Sequence, residues 1–312
     1  MTNSSPSPAT DPIERVVHAE KEIVVIYHDQ CRDGFGAAYA AWKKFGDQAW
    51  YLPLKAGIDA PTGLVDKELY IVDFSFSYET LQQLRELNRS VVVIDHHPSA
   101  QADVTAWPEN IFDLAHSGAV LAWQYFHPTE PVPPLLLYVE DHDLWKFALP
   151  DNRAFNAALG LVPTTFAAWD ELVARLSEPA ELGTFITRGT TIAAFEDQLV
   201  NQLLEFKEWA EFAGHRCYAI NIARPYRSIV GHHLAKLSAE HGGSPLGIVY
   251  YRNQGGVNIS LRSEGDLNVA ELAARYGGGG HKHAASIRVT DFSEVPFKFI
   301  VENAGITGNL PG

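Results

Sequence analysis

The stretch that decides the fold is residues 90–98, which read SVVVIDHHP. Ser90–Ile94 is rich in β-branched residues, which is typical of a strand buried on both faces of a parallel sheet. The polar segment Asp95-His96-His97 follows directly, and Pro98 disfavours a helix that begins at once. The stretch therefore predicts a central strand with one carboxylate and two imidazoles at its carboxyl end.

Two earlier stretches repeat this pattern. The apolar run Ile23–Tyr27 ends at His28, and the apolar run Leu69–Val72 ends at Asp73. Helical patterns separate the strands, and strands that alternate with helices predict a parallel α/β sheet. In such sheets ligands bind at the carboxyl ends of the strands. We therefore expect His28, Asp73 and the segment 95–97 to lie close together.

Carboxylate and imidazole groups at one edge of a sheet suggest a metal site, since both bind Mn²⁺, Mg²⁺ or Zn²⁺. Each candidate also has an ordinary explanation. Asp73 could begin a helix as its N-cap, residues 28–34 could be an acidic turn, and Asp141 and Asp143 could be solvated acids at a helix end. These explanations must all hold at once for the metal site to be absent, so the sequence favours the metal site.

A second candidate site lies in the C-terminal half of the chain. Gly277–Gly280 precede His281, and glycines allow backbone N–H groups to approach a phosphate closely. The alternative is a flexible linker, although a predicted helix and a predicted strand flank the run. Asn258, Ser260 and Arg262 alternate along the strand before it, so they share one face. Arg262 could hold a phosphate through two hydrogen bonds, or it could be a surface arginine.

Composition limits the class of protein. The 312 residues are enough for two domains, and the net charge of −14 argues against a protein that coats long nucleic acid. The chain shows neither a secretory signal nor an apolar stretch of the ~20 residues that span a bilayer. Its two cysteines, Cys31 and Cys217, suit a reducing compartment, so we expect a cytoplasmic location. Cys31 is a poor candidate for a nucleophile, because no Cys/His/Asn arrangement accompanies it.

The predicted organisation has five parts. A disordered tail (1–20) precedes a parallel-sheet domain (21–185), a helical linker (186–213), a smaller α/β domain (214–305) and a second tail (306–312). The fold class is therefore α/β, with two domains joined by a helix.

In this order, the motifs resemble those of the DHH/DHHA1 phosphoesterase family, which includes RecJ-type exonucleases, nanoRNA-degrading oligoribonucleases and cyclic-dinucleotide phosphodiesterases. The resemblance runs from about residue 23 to residue 290. In the DHH part the matching positions are His28 with Asp33-Gly34, then Asp73, Asp95-His96-His97 and Asp141. In the DHHA1 part they are Ser260–Ser263 and Gly277–His281.

The resemblance implies metal-assisted hydrolysis of a short single-stranded oligonucleotide or a small nucleotide, with two Mn²⁺ or Mg²⁺ ions. Asp73 would bridge the ions, His28 would bind one of them, and Asp33, His96 and Asp141 would bind at or near the other. His97 would contact the scissile phosphate, and Asp95 would orient a ligand. The implied substrate contacts of the second domain are Ser260, Arg262, Gly278, Gly279, Gly280 and His281.

The first motif departs from the family pattern. The family supplies a histidine and two aspartates there, whereas this chain has only Asp33 in a matching position, after Asp29, Gln30, Cys31 and Arg32. Either Asp29 reaches the metal or one metal site is weakened. A one-metal enzyme and a loss of activity are both open alternatives.

Several functions therefore stay open. Besides an oligoribonuclease, they are a cyclic-dinucleotide phosphodiesterase, a phosphoadenosine phosphate hydrolase, an exonuclease on longer strands, and a non-catalytic protein that binds nucleotides. No membrane partner is expected, and a homodimer is a further open option.

Overall fold

The computed structural model describes residues 20–55 and 58–300. The predicted tails, apart from residue 20, lie outside the described residues. The chain divides into two compact units, Met1–Ala193 and Ala194–Gly312.

The first unit is built on a parallel sheet of five strands in the order β2-β1-β3-β4-β5. All neighbouring strands run in the same direction, as the sequence predicts. The strands are β1 (Ile23–His28), β2 (Ala49–Leu54), β3 (Glu68–Val72), β4 (Ser90–Asp95) and β5 (Asn110–Phe112).

Helices cover both faces of this sheet. Residues alternate along each strand, so Val25 packs with one helical layer and Val24 and Ile26 pack with the other. The first layer contains α1 (Arg32–Phe45), α4 (Gly118–Phe126), α5 (Pro134–Asp143), α6 (Asn152–Leu159), α7 (Phe166–Leu176) and the start of α8 (Pro179–Leu204). The second contains α2 (Tyr78–Leu87) and α3 (Gln101–Ala106).

The strand order brings the predicted site residues to one place. The chain leaves β1 for β2 on one side and then crosses to β3 on the other, which makes the β1–β3 junction a topological switch point. Tyr27 pairs with Val72, and Val72 pairs with Ile94. The next residue on each strand is His28, Asp73 or Asp95, so these three lie side by side.

Strand β2 was missed by the sequence patterns because Pro53 interrupts its apolar run. Proline cannot donate a backbone hydrogen bond, and in sheets it is found mainly on edge strands. The sheet order places β2 at the edge, where Pro53 pairs with Tyr27 on one side only.

The second unit contains a mixed sheet of seven strands in the order β10-β11-β9-β8-β7-β6-β12, in which only β7 and β8 pair in parallel. The strands are β6 (Glu208–Phe212), β7 (His215–Asn221), β8 (Leu246–Asn253), β9 (Gly256–Ser263), β10 (Gly279–His281), β11 (Ala284–Val289) and β12 (Phe297–Phe299). The helices α9 (Arg227–Glu240) and α10 (Val269–Ala274) complete the unit, which confirms a second α/β domain.

The helical linker predicted for residues 186–213 is only partly helical. Helix α8 ends at Leu204, and Glu208–Phe212 forms β6. Ala210 and Phe212 are buried while Glu208 and Glu211 are exposed. Over Trp209–Phe212, partly buried or exposed residues alternate with buried ones. This alternation fits a strand with one buried face, whereas a helix would need apolar residues three and four positions apart.

Among the described residues, none of the helices combines the length and the apolar character that a bilayer crossing requires.

Candidate metal centre

The centre of the site is the imidazole of His96, which three carboxylates surround. His96 Nε2 lies 3.2 Å from Asp73 Oδ1, 3.5 Å from Asp33 Oδ2 and 3.6 Å from Asp143 Oδ2. Asp33 and Asp73 are each 1% exposed, and His96 is also buried. Buried carboxylates are stable only when a cation or several hydrogen bonds compensate their charge.

Several atoms of this cluster make no hydrogen bond. Across residues 20–55 and 58–300, eight buried side-chain nitrogen or oxygen atoms lack a hydrogen-bond partner. Four of the eight are His28 Nδ1, His96 Nε2 and the two carboxylate oxygens of Asp73. Unsatisfied polar atoms are rare in folded proteins. The four atoms of this cluster are imidazole nitrogens and carboxylate oxygens, which commonly bind metal ions. The donor set therefore fits a divalent metal ion.

Asp33 is held in place by the N-terminus of α4. Its Oδ2 accepts a hydrogen bond from the backbone N–H of Gly118 (2.6 Å), and its Oδ1 accepts one from Ala119 (3.0 Å). The positive end of the helix dipole favours an anion at this position. The fold thus fixes the orientation of the Asp33 carboxylate even though it is buried.

Two glycines allow Asp73 to enter the cluster. Asp73 itself has a left-handed backbone, with φ of 62°. A Cβ on Gly118 would lie 2.6 Å from Asp73 Oδ1, and a Cβ on Gly34 would lie 3.0 Å from Asp73 Oδ2. Only glycine therefore fits at 34 and 118 while Asp73 keeps this conformation.

The pKa values of the two central carboxyl groups, Asp33 and Asp73, are shifted in opposite directions. Burial, together with the charges of Asp73 and Asp143, raises the pKa of Asp33 well above its usual value. Burial would also raise the pKa of Asp73, but the neighbouring His28 and His96 hold it below its usual range. When carboxylates are crowded together, their negative charges push their pKa values apart in this way. A divalent cation would neutralise that excess charge.

Asp95 positions His97. Its Oδ1 lies 2.7 Å from His97 Nδ1 and accepts a hydrogen bond from the backbone N–H of His96 (2.8 Å). Burial alone would lower the pKa of His97, but the hydrogen bond to Asp95 and the nearby carboxylates raise it to about 9. The geometry thus agrees with an orienting role for Asp95.

The structure places Asp141 outside this cluster, contrary to its predicted position at a metal. Its Oδ1 accepts a hydrogen bond from Ala148 N (2.8 Å), and its Oδ2 accepts from Leu149 N (3.1 Å) and Asn152 Nδ2 (2.7 Å). Its carboxylate therefore anchors the segment after α5. Asp143 reaches His96 instead. Residues two positions apart on a helix point in different directions, which explains why only one of the two faces the site.

Three groups of ligand atoms could hold a metal ion among the described residues, each with its atoms within 4.8 Å of one another. They are His28, Cys31 and Asp73; Asp73, His96 and His97; and Asp33, His96 and Asp143. Asp73 and His96 each belong to two groups, and Asp29 belongs to none of them. For a carboxylate such as Asp73, membership of two groups suits a bridging position.

The sequence patterns did not assign Cys31 to the metal site, and they included Asp143 only together with Asp141, which the family resemblance then favoured. For Cys31, the signal in the sequence was the missing acid of the first motif. For Asp143, the signal was its position two residues after Asp141. Burial and the carboxylates of Asp73, Asp33 and Asp143 raise the pKa of the Cys31 thiol well above its usual value.

In the second unit, Arg262 lies beside a second cation. Its Nη2 donates to Ser228 Oγ (2.9 Å), and its Nη1 donates to the backbone oxygen of Leu261 (2.9 Å). Burial and the neighbouring Arg227 lower its pKa to about 10. Two neighbouring arginines favour a bound anion. Ser260 is on the same strand face but is only 4% exposed.

The glycine run has a different local structure from the predicted phosphate-binding loop. Gly277 N and Gly278 N donate to the carbonyls of Ala274 and Ala273, which caps the C-terminus of α10. Gly279, Gly280 and His281 then form the edge strand β10, where they pair with Ser286, Ala285 and Ala284. Two of the glycine N–H groups are therefore used by the helix cap.

Comparison with known proteins identifies a family domain within the second unit. Residues 228–301 match the DHHA1 domain family. Oligoribonuclease NrnB from Bacillus subtilis is 26% identical over 256 residues, which is 75% of this chain and 62% of that protein. Residues 228–301 therefore form a DHHA1 domain, and this match together with the similarity to NrnB supports a DHH/DHHA1 phosphoesterase family.

Two further proteins are similar to this chain. An uncharacterized protein, R106, from Acanthamoeba polyphaga mimivirus is 24% identical over 319 residues, covering 89% of this chain and 70% of that protein. The structure of a DHH domain from a member of a family of ribosomal proteins superposes with a TM-score of 0.55 at 14% identity. That superposition covers 87% of this chain and 83% of the other. This likeness supports the fold.

His28, Asp33, Asp73 and His96 meet at the edge of the sheet, together with Asp143. Cys31 lies with His28 and Asp73 in one of the groups of ligand atoms.

Proposed function

We propose that this chain is a metal-dependent phosphodiesterase that hydrolyses short oligonucleotides, of the nanoRNA type, or related small nucleotide phosphodiesters to mononucleotides. The observation that carries the proposal is the buried cluster around His96, in which His28 Nδ1, His96 Nε2 and both carboxylate oxygens of Asp73 make no hydrogen bond. The similarity to a protein named oligoribonuclease supports a nucleotide substrate. The net charge of −14 favours a short substrate over a long strand.

The proposal assigns His28, Asp33, Asp73, His96 and Asp143 to two divalent ions, Mn²⁺ or Mg²⁺, with Asp73 shared between them. Such ions polarise a phosphoryl oxygen and lower the pKa of water, which are the two requirements of phosphodiester hydrolysis at neutral pH. The protein contributes the fixed geometry, because the N-terminus of α4 holds Asp33 and the left-handed backbone of Asp73 directs its carboxylate into the cluster.

Contacts to the substrate are assigned to side chains around this centre and in the second unit. Asp95 fixes the ring of His97, and we assign the scissile phosphate to His97. Arg262, beside Arg227, is assigned to a phosphate of the nucleotide chain. Ser260 is left out of the substrate contacts because it is buried. The N–H groups of Gly277 and Gly278 are also left out, because they cap α10.

The test is a substrate panel. The purified protein is incubated with Mn²⁺ and with labelled RNA of two to five nucleotides, cyclic dinucleotides and a longer single strand. We expect mononucleotides from the short RNAs, with lower kcat/KM for the long strand. Asp73→Asn should lower kcat by at least about 10²-fold, because it removes a shared ligand.

The matched control is Asp59→Asn, which makes the same change at an exposed position that belongs to none of the metal-binding groups. It should leave turnover unchanged. If the wild-type protein releases no mononucleotide from any of these substrates, the proposal is wrong. If Asp73→Asn turns over at the wild-type rate, the site assignment is wrong.

A further inference from the structure

The N-terminal end of α1 places a thiol inside the metal centre. Cys31 Sγ, a ring nitrogen of His28 and a carboxylate oxygen of Asp73 lie within 4.8 Å of one another. The three residues therefore meet at one point. They come from the end of β1, the start of α1 and the end of β3. A metal ion binds neutral imidazole, carboxylate and thiolate, and these three side chains supply such a set once the thiol loses its proton.

The surroundings of this group indicate a ligand independently of the cysteine. Asp73 is 1% exposed, and neither of its oxygens makes a hydrogen bond. His28 Nδ1 is also buried without a hydrogen bond and lies 3.5 Å from Asp73 Oδ2. These atoms are buried from water and form no hydrogen bond of good geometry with the protein, so a bound cation would account for the arrangement.

Neither helix capping nor core packing explains a cysteine at position 31. Cys31 is the N-cap residue of α1, with φ of −119° and ψ of 138°, and cysteine is not among the residues that favour this position. Buried cysteines usually pack as small apolar residues. Cys217 does so, since it is fully buried in an apolar cluster with Ala210 and Leu246. Cys31 belongs to none of the apolar clusters of the described residues and has carboxylates as neighbours.

We propose that Cys31 binds the metal as a thiolate together with His28 and Asp73, and that this position takes a thiophilic divalent ion such as Zn²⁺ or Fe²⁺ rather than Mg²⁺. The thiol proton is released to solvent when the ion binds. Thiolate ligands favour zinc and other soft ions, whereas carboxylate-rich sites suit Mg²⁺ and Mn²⁺. The position formed by Asp33, His96 and Asp143 has no sulfur, so the two positions would differ in metal preference. This inference rests on the proposed function for the existence of the metal centre.

The test uses cobalt as a spectroscopic probe of the full-length protein. Metal-free protein is titrated with Co²⁺ under reducing conditions, and the near-ultraviolet absorption band of thiolate-to-cobalt charge transfer is recorded. The chain has two cysteines, so single substitutions assign the band. We expect it in the wild type and in Cys217→Ala, and we expect it to be absent in Cys31→Ser.

Cys31→Asp supplies the second measurement, because it restores a carboxylate at this position. It should bind Co²⁺ without the band, and its affinity for Zn²⁺ relative to Mg²⁺ should fall by at least about tenfold. Circular dichroism of each variant confirms that the fold is intact. If a Cys31 variant unfolds, thiol labelling in the Cys217→Ala protein decides, because Zn²⁺ should protect Cys31 and Mg²⁺ should not.

The outcomes separate the two proposals. An unchanged band in Cys31→Ser, or Co²⁺ binding by the wild type without the band, overturns the role of Cys31 and leaves the phosphodiesterase proposal standing. A band that depends on Cys31 in a protein that cleaves no nucleotide overturns the phosphodiesterase and keeps the ligand. Absence of Co²⁺ binding overturns both.

Discussion

Asp141 and Asp143 are close in sequence, but their carboxylates have different environments. Asp141 is 4% exposed and accepts hydrogen bonds from Ala148, Leu149 and Asn152. The side chain of Asp143 is 29% exposed, and the contact that defines its position is with His96 at 3.6 Å. The same substitution should therefore affect stability at one position and metal binding at the other.

Asp141→Asn should destabilise the protein by roughly 2–3 kcal/mol, because an amide group would face donors that need an acceptor. Asp143→Asn should change stability by less than about 0.5 kcal/mol and should weaken Mn²⁺ binding at least about tenfold. Urea unfolding of the metal-free proteins and Mn²⁺ titration measure the two effects. If Asp141→Asn weakens metal binding while stability is unchanged, the assignment of the two residues is reversed.

Sequence patterns could identify the kinds of residue in the site but could not choose between neighbours. The apolar runs before His28, Asp73 and Asp95 predict strand ends, and the strands place all three at one edge. Near the end of a helix, the direction of a side chain depends on where the helix stops, and sequence alone places such ends poorly. For the same reason the spacing before Asp33 could not show that the thiol of Cys31 reaches Asp73.

At the scale of elements, the N-terminus of α4 is the support on which the centre is built. Gly118 donates its N–H to Asp33, and a Cβ there would lie 2.7 Å from the Cβ of Asp73. Gly118→Ala must therefore displace either the helix or Asp73. A displacement of about 1 Å at a catalytic centre lowers rates by about 10²-fold, and we expect a loss of kcat of that order.

The control for this substitution is Gly183→Ala in α8. A Cβ at Gly183 would meet no atom within 4 Å, and the residue is exposed. Alanine stabilises a helix by about 0.5–1 kcal/mol relative to glycine, so this variant should melt slightly higher and keep full activity. Kinetic and melting measurements on both variants check the pair. If Gly118→Ala retains full activity, α4 does not have the supporting role that we assign to it.

Elements with a clear hydrophobic period were predictable, and those whose residues depend on tertiary neighbours were not. The strand Ser90–Asp95 and the helix Tyr78–Leu87 follow directly from their patterns. The glycine run at 277–280 has no pattern of its own. Its division into a helix cap and an edge strand depends on the end of α10 and on pairing with β11.

At the scale of the whole molecule, the proposed metal ligands all belong to the first unit. Most of the intrinsic fluorescence also comes from that unit. Of the seven tryptophans, six lie before Ala194 and only Trp209 lies after it. The six are Trp42, Trp50, Trp107, Trp123, Trp145 and Trp169. Tryptophan fluorescence therefore reports on the unfolding of the unit that would bind the metal.

A ligand that binds only the folded state stabilises it by about 2.7 kcal/mol when its concentration is about 100 times Kd. For a unit of this size, that corresponds to a rise in Tm of roughly 5–10 °C. We expect this rise in fluorescence-detected melting when saturating Mn²⁺ is added to metal-free protein. Asp73→Asn removes one of the two ligands that belong to two of the three groups, and it should abolish most of the shift. If Tm rises equally in the wild type and in Asp73→Asn, the stabilising ion binds outside the cluster around His96.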